Sequence, residues 1–423
     1  PGPRGGPASS KPIPLNSRPM KIFFSVGEPS GDLHGANLIC ALRSRAENIE
    51  CVGFGGPRMA AAGCELLQDL TQLAIMWIGR ALWHLPKFFG YLRQTDEFFG
   101  RERPDAVVLI DYPGFNWHIA RRAKAHGIPV FYYGTPQLWA WAGWRIKKMR
   151  RTVDHALCKL PFEEQWYRER GVNATYIGHP YFDELRDHRV DQAFVDQQRK
   201  SDSPLVTILP GSRTQEVKGN LQWLLKSARK VREQVPDVRF VIAAFKESQA
   251  EYARRLVAES DLPVEVHVDR TPELISVATC TMAVSGSVSL ELLYHAKPSV
   301  ILYHISRFAN AVQRRFRKVR YITLVNLLTT DDLFPSQPAL YHPRDPADAH
   351  VLMPEYLTSE DRSSEVSRHV IEWLNDAERR QELVAKMEAL RDAVARGGAS
   401  ERAAEYIVKE LRLLSRERPQ LAA

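Results

Sequence analysis

The sequence predicts an α/β protein built from two doubly wound, Rossmann-like parallel sheets and closed by a helical C-terminal segment. Three observations predict it. Short apolar runs alternate with longer helical patterns, which is how βαβ crossovers read. The same rhythm restarts after the polar, charged stretch 186–203. A chain of 423 residues also exceeds one ordinary core, so two domains suit the length.

In order along the chain, residues 1–19 are rich in Pro, Gly and Ser, lack an apolar h-region, and read as a disordered tail rather than a secretory signal. Met20 then looks like a protein start running straight into a strand. Strands are expected at 22–26, 106–110 and 130–133, with helices at 33–46 and 119–125. Beyond Pro204 the strands are 205–209, 240–244, 264–268, 282–284 and 299–303, with helices at 220–234 and 249–259. The domains are therefore drawn at 20–200 and 204–365, with the charged helices of 366–423 packing across them. Doubly wound sheets bind ligands beyond the carboxyl ends of their strands, and two such sheets are expected to face each other across a cleft.

Hydrophobic residues at 44% and charged residues at 26% match a soluble globular protein, which argues against a disordered chain or a bundle of spanning helices. No run reaches the roughly eighteen uncharged apolar residues that a spanning helix needs. The formal charge of +8 suits an anionic partner, either a phosphorylated substrate or an acidic membrane surface. Nucleic acid is not the expected partner, because no Lys/Arg stripe is interleaved with aromatics. The five cysteines form no CxxC pair or His/Cys cluster, so neither a zinc site nor a disulfide framework is expected, and a reducing, cytoplasmic setting is.

Four loops carry chemistry. Gly27-Glu28-Pro29-Ser30-Gly31-Asp32 joins a strand to a helix; its glycines let a ligand approach the backbone, and Asp32 equally suits a cap in a tight turn. Asp111, in Asp111-Tyr112-Pro113-Gly114-Phe115-Asn116, ends a strand where a general base for a hydroxyl acceptor belongs, although Asp before Pro and Gly is also a turn residue. Leu209-Pro210-Gly211-Ser212-Arg213, with Glu216, offers backbone donors and a planar guanidinium suited to a diphosphate; a surface Arg after a turn is the alternative. Ser285-Gly286-Ser287 opens a helix as an amide nest, and Glu291 one turn on suits two ribose hydroxyls, a role compatible with simple capping.

Taken together, GEPSGD at Gly27, DYPGFN at Asp111, PQLWAW at Pro136, LPFE at Leu160, IGHP at Ile177, LPGSR at Leu209 and SGSVSLE at Ser285 resemble the lipid-A-disaccharide synthase family. The blocks follow the family's order from about Met20 to Asn326. The resemblance implies a GT-B fold and transfer of 2,3-diacylglucosamine from its UDP donor to 2,3-diacylglucosamine 1-phosphate (lipid X). The implied product is the β(1→6) disaccharide 1-phosphate, formed with inversion, with UDP released and no metal or other cofactor. By the same resemblance Asp111 is the base and Glu28 and Asp32 lie near the acceptor sugar. Arg213 and the amides of 285–287 then stabilise departing UDP, Glu291 holds the ribose, and His179 lines the cleft. Asn326 sits in a block resembling the family's SLPNLL, with Val325 where proline is usual. A homodimer with exchanged C-terminal segments is also implied.

Residues 70–92 form an apolar stripe at helical spacing, with a kink expected at Pro86. Trp77 belongs to that stripe; Ile75, Met76, Trp83 and Tyr91, beside Arg80, His84 and Lys87, add more apolar surface than one packing face needs, as in an interfacial helix. A diacylated substrate leaves a bilayer at about 0.8 kcal/mol per exposed CH₂. The residues alone fit a buried helix pair; with the resemblance, peripheral contact with the cytoplasmic face of the inner membrane is expected. Two rival readings use the same frame: an enzyme like UDP-N-acetylglucosamine 2-epimerase, which needs no acyl-chain surface, and a non-catalytic UDP-sugar or lipid-binding protein, which needs no base.

Overall fold

A computed structural model describes residues 19–71 and 85–417. The expected tail at 1–19 falls almost wholly outside the described residues, and so do Ile75, Met76, Trp77 and Trp83. Among the described residues the chain forms two parallel sheets and divides into two compact units.

The first unit holds β1 (Met20–Val26), β2 (Ile49–Gly55), β3 (Cys64–Asp69), β4 (Ala106–Ile110), β5 (Val130–Tyr133), β6 (His155–Cys158) and β7 (Ala174–Tyr176). Their order is β3-β2-β1-β4-β5-β6-β7. β1 pairs in parallel with both β2 and β4, Ile22 standing opposite Cys51 and Ala106. Every residue of β4 is buried, as the continuous run Ala-Val-Val-Leu-Ile requires of a central parallel strand. One face of the sheet carries Phe23, which meets Phe54, Phe98 and Phe99 at centroid distances of 5.5, 5.5 and 5.0 Å. On the other face, Ile22, Phe24 and Val26 pack with Leu38, Ile39 and Leu42 of the Pro29–Arg45 helix. They also meet Ala403, Ala404, Ile407, Val408 and Leu411, which form one stripe of the Ala399–Glu417 helix.

The second unit holds β8 (Leu205–Leu209), β9 (Arg239–Ala244), β10 (Val264–Val268), β11 (Cys280–Ala283), β12 (Ser299–His304) and β13 (Glu355–Thr358), in the order β10-β9-β8-β11-β12-β13. Helices Thr214–Gln234 and Ser363–Asn375 bury Leu221, Leu224, Val366 and Val370 on one face. Leu274, Leu290, Leu293 and Val325 cover the other.

The pair of doubly wound α/β sheets is therefore present. The domain line differs from the boundary drawn at 200. Residues 178–399 belong to the second unit, joined by 137–146, and residues from Ser400 onward return to the first. The reason is packing: Phe182 lies in the second unit's core with Leu290 and Leu293, and Asp191 accepts from Arg270 at 2.8 Å. The helix described over Leu85–Glu102 runs past 92 because Phe98 and Phe99 continue its buried face.

Candidate functional site

Each sheet reverses its winding at one place, between β1 and β4 in the first unit and between β8 and β11 in the second. The crevice beyond the carboxyl ends of such a strand pair is where open α/β sheets bind ligands. The four loops singled out from sequence follow these four strands: Gly27 to Asp32 after β1, Asp111 to Asn116 after β4, Gly211 to Glu216 after β8, and Ser285 to Glu291 after β11.

In the first unit, Asp111 and Tyr112 both adopt left-handed backbone, φ 46° and 42°. Two consecutive non-glycine residues there cost on the order of 1–3 kcal/mol each, so the surroundings must hold them. They do. Tyr132 Oη donates to the Asp111 carbonyl at 2.8 Å, and Asn116 Nδ2 donates to the same oxygen at 2.7 Å. The Tyr112 ring packs over Gly27, where any Cβ would collide with it. The turn aims the Asp111 carboxylate, 26% exposed, to within 3.6 Å of Lys159 Nζ. A methyl group on Gly31 would stand 3.6 Å from Asp111 Oδ2, so the β1 and β4 loops share one site. Burial, and then the charge of Glu28, raise the Tyr112 phenol above its ordinary value. Burial and the charges of Asp111 and Glu28 act likewise on Tyr132. Glu28, Gly31, Asp111 and Lys159 thus gather at the carboxyl ends of β1, β4 and β6, with Ser30 exposed on the first helical turn.

Two residues of these loops, Asp32 and Asn116, are engaged in buried hydrogen bonds. Asp32 is buried; its Oδ1 accepts from Gly56 N and Met59 N at 2.9 and 3.0 Å, and its Oδ2 from Arg58 N at 3.0 Å. It caps the Pro57–Ala61 helix, a partner lying 24 residues or more away in sequence. Asn116 is fully buried; its amide donates to the Ser25, Ile110 and Asp111 carbonyls and its Oδ1 accepts from Ser25 Oγ at 2.7 Å. It clamps β1 to β4 and holds Asp111 in place.

In the second unit, Gly211 has φ 114°, and a Cβ there would lie 2.8 Å from Glu216 Cβ. Glu216 closes the loop, its Oε2 accepting from Arg213 N at 3.2 Å and its Oε1 from the guanidinium at 2.9 Å. The Arg213 side chain stays 71% exposed at the start of the Thr214–Gln234 helix. Gln249, buried and not foreseen, fixes the loop from behind by donating to the Ser212 carbonyl at 2.9 Å. Across the switch point, Ser285 Oγ donates to the Ile322 carbonyl at 3.0 Å, and Gly286 and Ser287 are exposed before the Val288–Tyr294 helix.

Glu291 lies buried on the Val288–Tyr294 helix. Its Oε2 accepts from Tyr181 Oη at 2.7 Å, whereas Oε1 is buried without a hydrogen-bond partner among the described residues. Burial pushes its pKa up to about 7, against the lowering effect of the Tyr181 bond, with Glu184 and Glu273 adding to the rise. His179 is buried two residues from Tyr181, and its Nδ1 accepts from Tyr181 N at 3.2 Å. Asn326 lies behind the Ser285 loop's partner Ile322, with which it shares Glu355. It is fully buried, donating to the Met353 carbonyl and to Glu355 Oε2 at 2.7 and 2.9 Å.

Lys159 and Tyr181 were not among the expected residues, yet each had a sequence signal: one directly precedes LPFE and the other directly follows IGHP. Gln249 had none.

Residues 22–394 match the family model described as lipid-A-disaccharide synthetase. The chain is 32% identical over 397 residues to the lipid-A-disaccharide synthase of Myxococcus xanthus, covering 93% of this chain and 98% of that protein. It is 31% identical over 399 residues to the one from Geobacter sulfurreducens, covering 92% and 97%. Among solved structures, UDP-GlcNAc 2-epimerase from Neisseria meningitidis bound to UDP-GlcNAc superposes with a TM-score of 0.61 at 13% identity, over 92% of this chain and all of that one. The calicheamicin glycosyltransferase CalG4 gives 0.56 at 13%, over 94% and 99%. At such identities these likenesses speak for the fold, which is that of GT-B proteins.

Proposed function

Because the chain belongs to the lipid-A-disaccharide synthase family, and so is a glycosyltransferase, we propose that it works through the residues at its two switch points. The reaction joins UDP-2,3-diacylglucosamine to 2,3-diacylglucosamine 1-phosphate, giving the β(1→6) disaccharide 1-phosphate and UDP. Asp111 takes the proton of the acceptor's 6-hydroxyl as that oxygen attacks the anomeric carbon, and the bond from that carbon to the UDP oxygen breaks on the opposite face, inverting the centre. Lys159 holds the Asp111 carboxylate in its orientation, and Glu28 and Ser30 contact the acceptor sugar. In the second unit Arg213 and the amides of 285–287 meet the diphosphate as negative charge grows on it. Glu291 receives the ribose hydroxyls on its unpartnered oxygen, and His179 orients Tyr181 beside it.

The observation that carries this reading is the placement of all four loops on the strands that flank a switch point. The epimerase alternative shares the fold but not the family, and a binding module has no use for a strained, aimed carboxylate at Asp111. The enzyme is further proposed to act at the cytoplasmic face of the inner membrane, through the stretch around Ile75, Met76, Trp77 and Trp83, and as a homodimer. Among the described residues no helix is long and apolar enough to cross a membrane. The test is incubation of purified protein with the UDP donor and labelled lipid X in detergent micelles. Disaccharide and UDP are expected. Asp111→Asn should lower turnover by about 10²–10⁴-fold while UDP binding persists; near-normal turnover would remove Asp111 from the role of base.

A further inference from the structure

The Arg307–Phe316 helix follows β12 in the second unit, and none of its ten residues is buried. It is nonetheless firmly held. Ser306 Oγ caps it by accepting from Ala309 N at 3.2 Å, Asn310 Nδ2 donates to Ser359 Oγ at 3.4 Å, and Arg317 donates to the Pro338 carbonyl at 2.8 Å. Asn310 therefore marks the face turned to the protein. Val312 stands about 160° around the helix from it, flanked by Phe308 and Phe316 at four-residue spacing. The apolar face points outward, with Phe308 80% exposed.

A second segment of the same unit extends this surface. Lys318 N donates to the Ala140 carbonyl at 3.0 Å, which brings Trp141 and Trp144 alongside the helix. The Trp144 ring, 60% exposed, lies 6.5 Å from Phe316 and 6.0 Å from Trp141, and the Arg145 guanidinium sits 5.2 Å from the Trp141 ring. The two segments themselves carry charge of one sign. No Asp or Glu occurs between Glu291 and Asp331, while Arg307, Arg314, Arg315 and Lys318 are exposed on or beside the helix.

We propose that this face of the second unit, Phe308, Val312 and Phe316 with Trp141 and Trp144, docks on an anionic lipid bilayer. Apolar side chains on an outward helix face enter the acyl boundary, the tryptophans sit at headgroup depth, and the exposed arginines meet lipid phosphates. Its residues are other than those of the stretch around Ile75 and Trp83 in the sequence, and the inference rests on the proposed work at a membrane only for its setting.

The test follows this surface alone. Val312→Cys, in a Cys40→Ser background that removes the exposed cysteine, carries an environment-sensitive fluorophore, and lipids spin-labelled along the acyl chain act as quenchers. Vesicles containing about one-third phosphatidylglycerol should shift its emission to the blue and allow quenching, whereas pure phosphatidylcholine should do so about tenfold less. In flotation, Phe308→Ser with Phe316→Ser should lower partitioning onto the anionic vesicles by about tenfold or more, with thermal unfolding unchanged because both rings are exposed. Turnover in detergent micelles should persist in that variant. A label that stays unquenched while the protein floats would overturn the proposal, as would a concentration-dependent dimer lost in the Ser variant with no change in lipid binding. Absence of disaccharide from the parent protein would count against the proposed reaction and leave the quenching result to decide the docking.

Discussion

Replacing Glu291 by Gln separates what burying this carboxylate does to stability from what it does for binding. Burial raises its pKa from 4.5 to about 7. The folded protein therefore holds this proton more tightly than the unfolded chain, so the stabilisation is complete below 4.5 and is lost as pH rises through about 7. That gap, at about 1.4 kcal/mol per pH unit, amounts to about 3 kcal/mol. Gln has no charge to desolvate, and its amide oxygen still accepts from Tyr181. At pH 5 parent and variant should thus unfold at nearly the same temperature. At pH 8 the variant should be the more stable by up to that amount, which at about 2–4 °C per kcal/mol is several degrees. Glu355, whose pKa burial also raises to about 7, is present in both proteins and cancels in the comparison. UDP affinity should move the opposite way, weakening about tenfold or more, because hydrogen bonds from hydroxyls to a carboxylate are among the stronger ones. Thermal scans at the two pH values and calorimetric titration with UDP decide it. An unfolding-temperature difference independent of pH would refute the desolvation argument, and unchanged UDP affinity would refute the ribose contact.

Arg213→Ala should weaken UDP binding by about 10–100-fold in the same titration and leave the unfolding temperature alone, since the side chain is largely exposed. Gly211→Ala places a Cβ against Glu216 at φ 114°; a loss of about 1–3 kcal/mol in denaturant unfolding is expected, together with weaker UDP binding. Asn116→Leu leaves Ser25 Oγ and the Asp111 carbonyl short of a partner in a buried place, which should cost about 2–4 kcal/mol and lower turnover before it alters UDP affinity.

The loops of both sites were legible because a βα turn is local. Gly27, Asp111, Gly211 and Ser285 each follow an apolar run, and the geometry that exposes them is written within a few neighbouring residues. Strands with mixed composition were not legible: β2 carries Glu50, β3 carries Glu65, Gln68 and Asp69, and β13 begins on the buried Glu355. Side-chain roles divide the same way. Arg213 and Glu216 meet at three residues' separation and could be read as a pair, whereas Asp32 finds Gly56 and Asn116 finds Ser25 only through folding.

The sequence alone, then, determined the α/β class, the family and the loops that carry chemistry, all properties of short segments. Tertiary structure decided that β1 lies beside β4 and β8 beside β11, that residues 178–199 join the second unit, and that the last helix returns to the first. It also decided the long-range partners of Asp32, Asn116 and Asn326, each a buried hydrogen-bond clamp. The physical reason is that parallel pairing and the satisfaction of buried polar groups join residues far apart in the chain, Ile22 with Ala106 and Asn326 with Glu355, and no local pattern encodes the partner.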